Sequence, residues 1–155
     1  MALEYGLYIQ TDLHPEQALK LMFTGIGVDA RIEKSNKRKV FISTNASGLT
    51  TYAYRFKDND PCYIAADLGI EASMLILFHL DPFEDREIQK HILLQVTIEL
   101  LREVKGDTVL LFNGEVVWLL RKAGELILNS SKDLWRPDFL FLVTLPYKMK
   151  DLPTL

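Results

Sequence analysis

Residues 109–121 read VLLFNGEVVWLLR, two apolar runs joined by Asn-Gly and a single acid. Asn113-Gly114 is a strong short-range hairpin signal, because a two-residue type I′ turn needs positive φ at both central positions. The flanking runs therefore read as antiparallel strands over 108–112 and 116–121. Glu115 raises the question of a catalytic carboxylate on a tight turn. Acid–base work needs a partner group and a site that shifts the pKa, and no such constellation accompanies it. The hairpin is the better reading.

Toward the C-terminus, Ala123-Gly124 closes a second hairpin onto a strand over 125–129. NSSKDLWRPDFL then suggests a capped helical turn near Trp135, limited by Pro137. FLVTL (141–145) is expected as the last strand, and the tail 148–155 is expected to fray.

Toward the N-terminus lies the clearest helix, opening at DPFE (81–84). Asp81 is expected to accept from the Glu84 amide, Pro82 to take the first helical position and Glu84 to complete a capping box. Ile88, Ile92, Val96 and Leu100 form an i,i+4 ladder, widened by Leu93, Leu101 and Val104, and Gly106 stops it. Before it, ASMLILFHL (72–80) suits a central strand, and KDNDP (57–61) reads as a turn. LTTYAYRF (49–56) puts Thr50, Tyr52, Tyr54 and Phe56 on one face, which is expected to be core. VFIST (40–44) and 27–33 are further strand candidates. Pro15 suits the first position of a helix carrying Ala18, Leu19, Met22 and Phe23, with Asp12 or His14 as cap and Gly25 as stop. Leu3, Tyr5, Leu7 and Ile9 alternate as a first strand. The pattern predicts an α+β single domain over 1–155, with an antiparallel-rich sheet and two main helices packed on one face.

At 155 residues with 48% hydrophobic and 25% charged side chains, the chain can bury a sizeable core. A net charge of −3 disfavours a dedicated nucleic-acid binder. Cys62 is the single cysteine, so no intramolecular disulfide forms, and a reducing, cytoplasmic setting is expected. MALEYGLYIQTDLH has no basic n-region or apolar h-region, and no apolar run approaches the ~18 residues of a membrane span.

Candidate chemistry is sparse. His14, His79 and His91 fit no zinc spacing, and Ser47-Gly48 and Ser130-Ser131 sit in no nucleophile elbow. TGIGVD (24–29) follows a helix and is not a phosphate loop, and Cys62 carries no protease signature. No cofactor or metal is expected. Arg31, Lys34, Lys37, Arg38 and Lys39 form a basic cluster near Tyr52 and Tyr54, but without an RNP-like motif. The acidic residues Asp58, Asn59-flanked Asp60, Asp81, Glu84 and Asp85 form a candidate patch for a basic partner, should loop 57–61 and the helix start lie together.

MALEYGLYIQTDLHPEQALKL (1–21) and GDTVLLFNGEVVWLLRKAGELILN (106–129) resemble the third numbered group of the bacterial Sit immunity proteins. Trp135, Pro137 and LPY (145–147) are similar in placement, whereas residues 31–70 are not placed in the family pattern. The resemblance implies protection against a toxin exchanged between kin, and it brings no catalytic motif with it. The expected role is thus a non-enzymatic immunity protein that binds a cognate toxin domain stoichiometrically and occludes it. Its toxin-binding residues would be Asp58, Asn59, Asp60, Asp81, Glu84 and Asp85. Two other classes remain open: a small enzyme using His79, His91 and Glu99, and a nucleic-acid module using 31–39 with Tyr52 and Tyr54.

Overall fold

A computed structural model describes residues 3–28, 31–35, 40–44, 46–57 and 67–155, the side chain of Lys132 excepted. The strands are β1 (Leu3–Ile9), β2 (Ile32–Lys34), β3 (Phe41–Thr44), β4 (Thr50–Arg55), β5 (Met74–Leu80), β6 (Thr108–Phe112), β7 (Val116–Lys122), β8 (Glu125–Asn129) and β9 (Lys148–Lys150). They form one sheet in the order β2-β3-β4-β5-β1-β6-β7-β8-β9, antiparallel except for the parallel β8–β9 pair. Helices α1 (Pro15–Thr24) and α2 (Arg86–Glu103) touch each other and cover one face, and a short α3 (Pro137–Leu140) follows a 3-10 turn at Ser131–Asp133. The α+β architecture and both hairpins agree with the sequence reading. Asn113 and Gly114 have φ of 49° and 73°, and Ala123 and Gly124 have 51° and 82°.

Alternation builds the core. Tyr5, Leu7 and Ile9 of β1 face the helices together with Met74, Ile76, Phe78 and Leu80 of β5. Leu19, Met22 and Phe23 of α1 and Leu93, Val96, Leu100 and Leu101 of α2 close over them. Register slips between Leu110 and Leu111 against β7, where Trp118 is the extra residue. Trp118 and Leu119 consequently both reach the helix side. Trp118 meets Tyr5 at 5.7 Å, Trp135 at 5.5 Å and Phe139 at 6.1 Å between ring centres. The indole N–H of Trp135 donates to the Trp118 carbonyl at 2.8 Å, fastening segment 131–140 to the sheet.

Arg121 joins sheet to helix. Only 6% exposed, it donates from Nε to the Gly106 carbonyl at 3.1 Å and from Nη1 to Leu101 at 2.7 Å. Its Nη2 donates to Val104 and to Gly106, the latter at 3.0 Å. These carbonyls belong to the last turn and exit of α2, which the cation neutralises. Burial lowers the Arg121 pKa, and Asp107 opposes that shift.

Five expectations need correction. Asp85, not Asp81, caps α2: its carboxylate accepts from the amides of Glu87 at 2.9 Å and Ile88 at 3.2 Å. The apolar ladder holds from Ile92 onward, but its first member, Ile88, is 53% exposed, and the polar Gln89 and Thr97 are buried beside it. In β4 the core face is Thr51 and Ala53, beneath α1, and Tyr52 and Tyr54 are half-buried on the face away from the helices. Small side chains allow that helix to approach where tyrosines would not. Segment 141–145 is no strand, because Leu142 and Val143 continue the turns of α3 by donating to Phe139 and Leu140. The tail expected to fray supplies β9 instead. Beyond it, Asp151 accepts from Ser130 Oγ at 2.7 Å, and Thr154 bridges to Val116.

Candidate functional site

The β5–α2 turn, residues 81–88, gathers three of the predicted site residues, and its geometry is fixed by hydrogen bonds. Gln89, fully buried on the first turn of α2, clamps Asp81 from both sides. Its Oε1 accepts from the Asp81 amide at 2.7 Å, and its Nε2 donates to the Asp81 carbonyl at 3.0 Å and the Asp85 carbonyl at 3.3 Å. The Asp81 carboxylate in turn accepts from the Phe83 amide at 2.9 Å, and the Glu84 amide reaches the Asp81 carbonyl at 3.3 Å. Gly48 of the β3–β4 connection packs against this turn. A Cβ there would lie 2.9 Å from Glu84 Cγ and 3.0 Å from Asp81 Cβ.

What this scaffold presents is Phe83, whose side chain stands 94% exposed. Within residues 81–88, Asp81, Glu84, Asp85 and Glu87 are four carboxylates to the one guanidinium of Arg86, a formal charge of −3, and Lys90 reaches Glu87 at 3.8 Å from outside that stretch. Asp81, Glu84 and Asp85 make no ion pair among the described residues. Glu87 is bound by Arg136, whose Nη2 also reaches Asp138 at 3.1 Å and whose guanidinium lies 4.3 Å from the Phe139 ring centre. The hydrogen bond to Glu87 is the main cause of the raised Arg136 pKa. Burial, and secondarily the Glu87 charge, raises the Tyr5 phenol well above its ordinary range. Asp58, Asn59 and Asp60, the other predicted site residues, lie outside the described residues, as do Cys62 and the basic residues 37–39.

The groups proposed for other chemistries do not converge. His79 sits on the open face of β5, 3.5 Å from Glu4 and 5.0 Å from the Tyr52 ring. His91 lies on α2, between the Glu87 carbonyl at 2.9 Å and Asp138 at 3.3 Å. Glu99 pairs with Arg102 at 3.2 Å and abuts Gly25. His79 is thus separated from the other two by the sheet. A 630 Å³ cavity over the open face is lined by Ile42, Tyr52, Tyr54, Leu77 and His79. Past the end of β1 and before the start of β5, Asp12, Glu71 and Glu103 line a 920 Å³ cleft. Its walls are tied together by Ser73 and Arg55, which both donate to the Thr11 carbonyl at 2.8 Å. Among the described residues no three His, Cys, Asp or Glu side chains are grouped to hold a metal, and no helix is long and apolar enough to cross a membrane.

A family model described as SitI3-like matches residues 3–139. The chain belongs to the SitI3-like family. The match takes in β1 through β8, both long helices and the turn bearing Phe83, and stops within α3. Strand β9 and its bridge at Thr154 lie beyond it. No curated protein matches the chain significantly.

Two features of the SitI3-like turn escaped the sequence reading. Phe83 is one apolar letter among charges, and its exposure follows only once Asp85 displaces Asp81 as the cap. Gln89 falls on the polar side of an assumed apolar ladder, yet it is the residue that holds the turn. Replacing it by Leu leaves the Asp81 amide without its partner and the Asp81 carbonyl with the Glu84 amide alone. The expected cost is about 2 kcal/mol. A thermal melt should register it, with faster amide exchange at Phe83 and Glu84.

Proposed function

We propose that this SitI3-like chain is an immunity protein that binds a cognate toxin domain one to one and neutralises it by occlusion, using Asp81, Glu84 and Asp85 at the β5–α2 turn. Asp58, Asn59 and Asp60 complete the proposed acidic surface. The family's name supports the role class. The observation carrying the surface is that three carboxylates without cation partners among the described residues are held in one fixed turn at a helix start. Charge of this kind speeds association with a basic partner and selects against acidic ones.

The test is rescue. Co-expression with each toxin domain encoded beside the gene should restore growth for one of them, and the purified pair should run as a one-to-one complex. Rescue without a complex would replace binding by an enzymatic action on the toxin or its product. Failure of rescue with every neighbouring toxin domain would remove the immunity reading.

The half-exposed Tyr52 beside His79 favours a second reading, a single-strand nucleic-acid surface on the open face. Arg55, the arginine of that strand, is spent on the carbonyls of Thr11 and Leu13. Salt-dependent RNA binding abolished by Tyr52→Ala would bring this reading forward.

A further inference from the structure

We propose that Phe83 is the anchor of the interface: it inserts into an apolar socket on the toxin domain, and the socket is rimmed by Lys and Arg side chains. This rests on the immunity reading above and names the chemistry of the partner.

A phenylalanine with 94% of its surface in water contributes nothing to its own fold. Mobile loop residues commonly have that fate, but Phe83 is not on an untethered loop. Its amide is held by Asp81, the Asp81 backbone is clamped on both sides by a buried Gln89, and the next helix is capped two residues on by Asp85. Such a turn presents the ring in one place, so little backbone entropy remains to be lost when a partner closes over it. Aromatic side chains that fill a partner's pocket carry a disproportionate share of binding energy. Ile88, 53% exposed one turn into α2, extends the apolar contact.

The surrounding charge identifies the rim. Asp81, Glu84 and Asp85, which have no cation partner among the described residues, outnumber Arg86 in the same turn, so an acidic or neutral rim would leave them desolvated and unpaired, whereas a basic rim pairs them. Phe141 supplies an internal comparison. It is 87% exposed, but it borders a recess with Gln95 and Arg102, about 15 Å along α2 from the cap at ten residues' rise. Among the described residues lining that recess the one carboxylate is Glu99, and it is paired with Arg102 at 3.2 Å.

The experiment measures binding of the rescued toxin domain, as a purified inactive variant, to wild type, Phe83→Ala, Phe83→Trp, Phe141→Ala and Glu84→Lys. Phe83→Ala should weaken binding at least about thirtyfold, mainly through faster dissociation, with an unchanged melting temperature. Phe83→Trp should retain more affinity than Phe83→Ala, and Phe141→Ala should stay within twofold of wild type. Glu84→Lys should slow association at low salt, and the difference should shrink as salt rises. Binding by Phe83→Ala within twofold of wild type would overturn the anchor while leaving the immunity reading intact. Equal losses from Phe83→Ala and Phe141→Ala would also overturn it, as general surface stickiness. So would concentration-dependent dimerisation of the free protein that Phe83→Ala abolishes, since the socket would then belong to a second copy. A wild-type protein that binds no toxin domain sinks both readings together.

Discussion

Arg121→Ala should be among the most destabilising single substitutions in this protein, lowering stability by about 3–4 kcal/mol and the melting temperature by roughly 10 °C. Four hydrogen bonds from one guanidinium reach the carbonyls of Leu101, Val104 and Gly106. Removing it leaves the Leu101 and Val104 oxygens at the exit of α2 without donors among the described residues, and the Gly106 oxygen with the Thr108 hydroxyl at 3.0 Å, in a site that is 6% exposed at Arg121. Each carbonyl left dry costs about 1–3 kcal/mol, and water entering the new space recovers part of that. Loss of the cation also removes its favourable interaction with the negative end of the helix. Arg121→Lys should rescue little, because a single ammonium cannot span three carbonyls in the plane that a guanidinium covers. Chemical denaturation of the three proteins measures this directly. A loss below about 1 kcal/mol for the alanine variant would show that the carbonyls are satisfied without Arg121.

Gly106→Ala is expected to cost about 3 kcal/mol or more, for a purely steric reason. A Cβ at Gly106 would sit 1.8 Å from the Gln10 carbonyl oxygen and 2.8 Å from its carbon. These are backbone atoms at the end of β1, where the Gln10 amide donates to Asp107 at 2.9 Å and Ile9 is in register with Thr108. Accommodating a methyl group would part β1 from β6 at that end. Gly124→Ala is the informative comparison. Gly124 has φ of 82°, and a methyl group added there would meet nothing within 4 Å, so only backbone strain of about 1 kcal/mol should follow. A thermal melt of the two variants therefore separates crowding from conformational strain. Equal, small shifts would mean that β1 and β6 tolerate separation.

Much of the sheet was legible in the sequence because its signals are local. Asn113-Gly114 and Ala123-Gly124 set two hairpins by turn chemistry alone, and the strands around them follow by alternation. Other features depend on partners distant in sequence. Whether Asp81 or Asp85 caps α2 is decided by Gln89, which claims the Asp81 backbone and leaves Asp85 to begin the helix. Alternation in LTTYAYRF defines two faces of β4 but not which is inside; the approach of α1 selects the small Thr51 and Ala53. Lys148–Lys150 has no strand-like apolar pattern, and its pairing to β8 arises from the returning tail. The candidate surface was half legible for a similar reason. Asp81, Glu84 and Asp85 are neighbours in the chain and so remain neighbours in space, whereas the exposure of Phe83 is a result of how the turn is tied.

The position of β1 has a consequence for how the molecule comes into being. Strand β1, which precedes all the other strands described, lies in the middle of the sheet, paired on one side with β5 and on the other with β6. Its apolar residues Leu7 and Ile9 have no permanent place until Thr108–Phe112 has been made, about two-thirds of the chain later. Closing such long loops before any contact rewards them makes folding slow and exposes the nascent strand to wrong partners. Assembly of the sheet therefore waits on its later strands, and β1 is the strand that waits longest for its second partner.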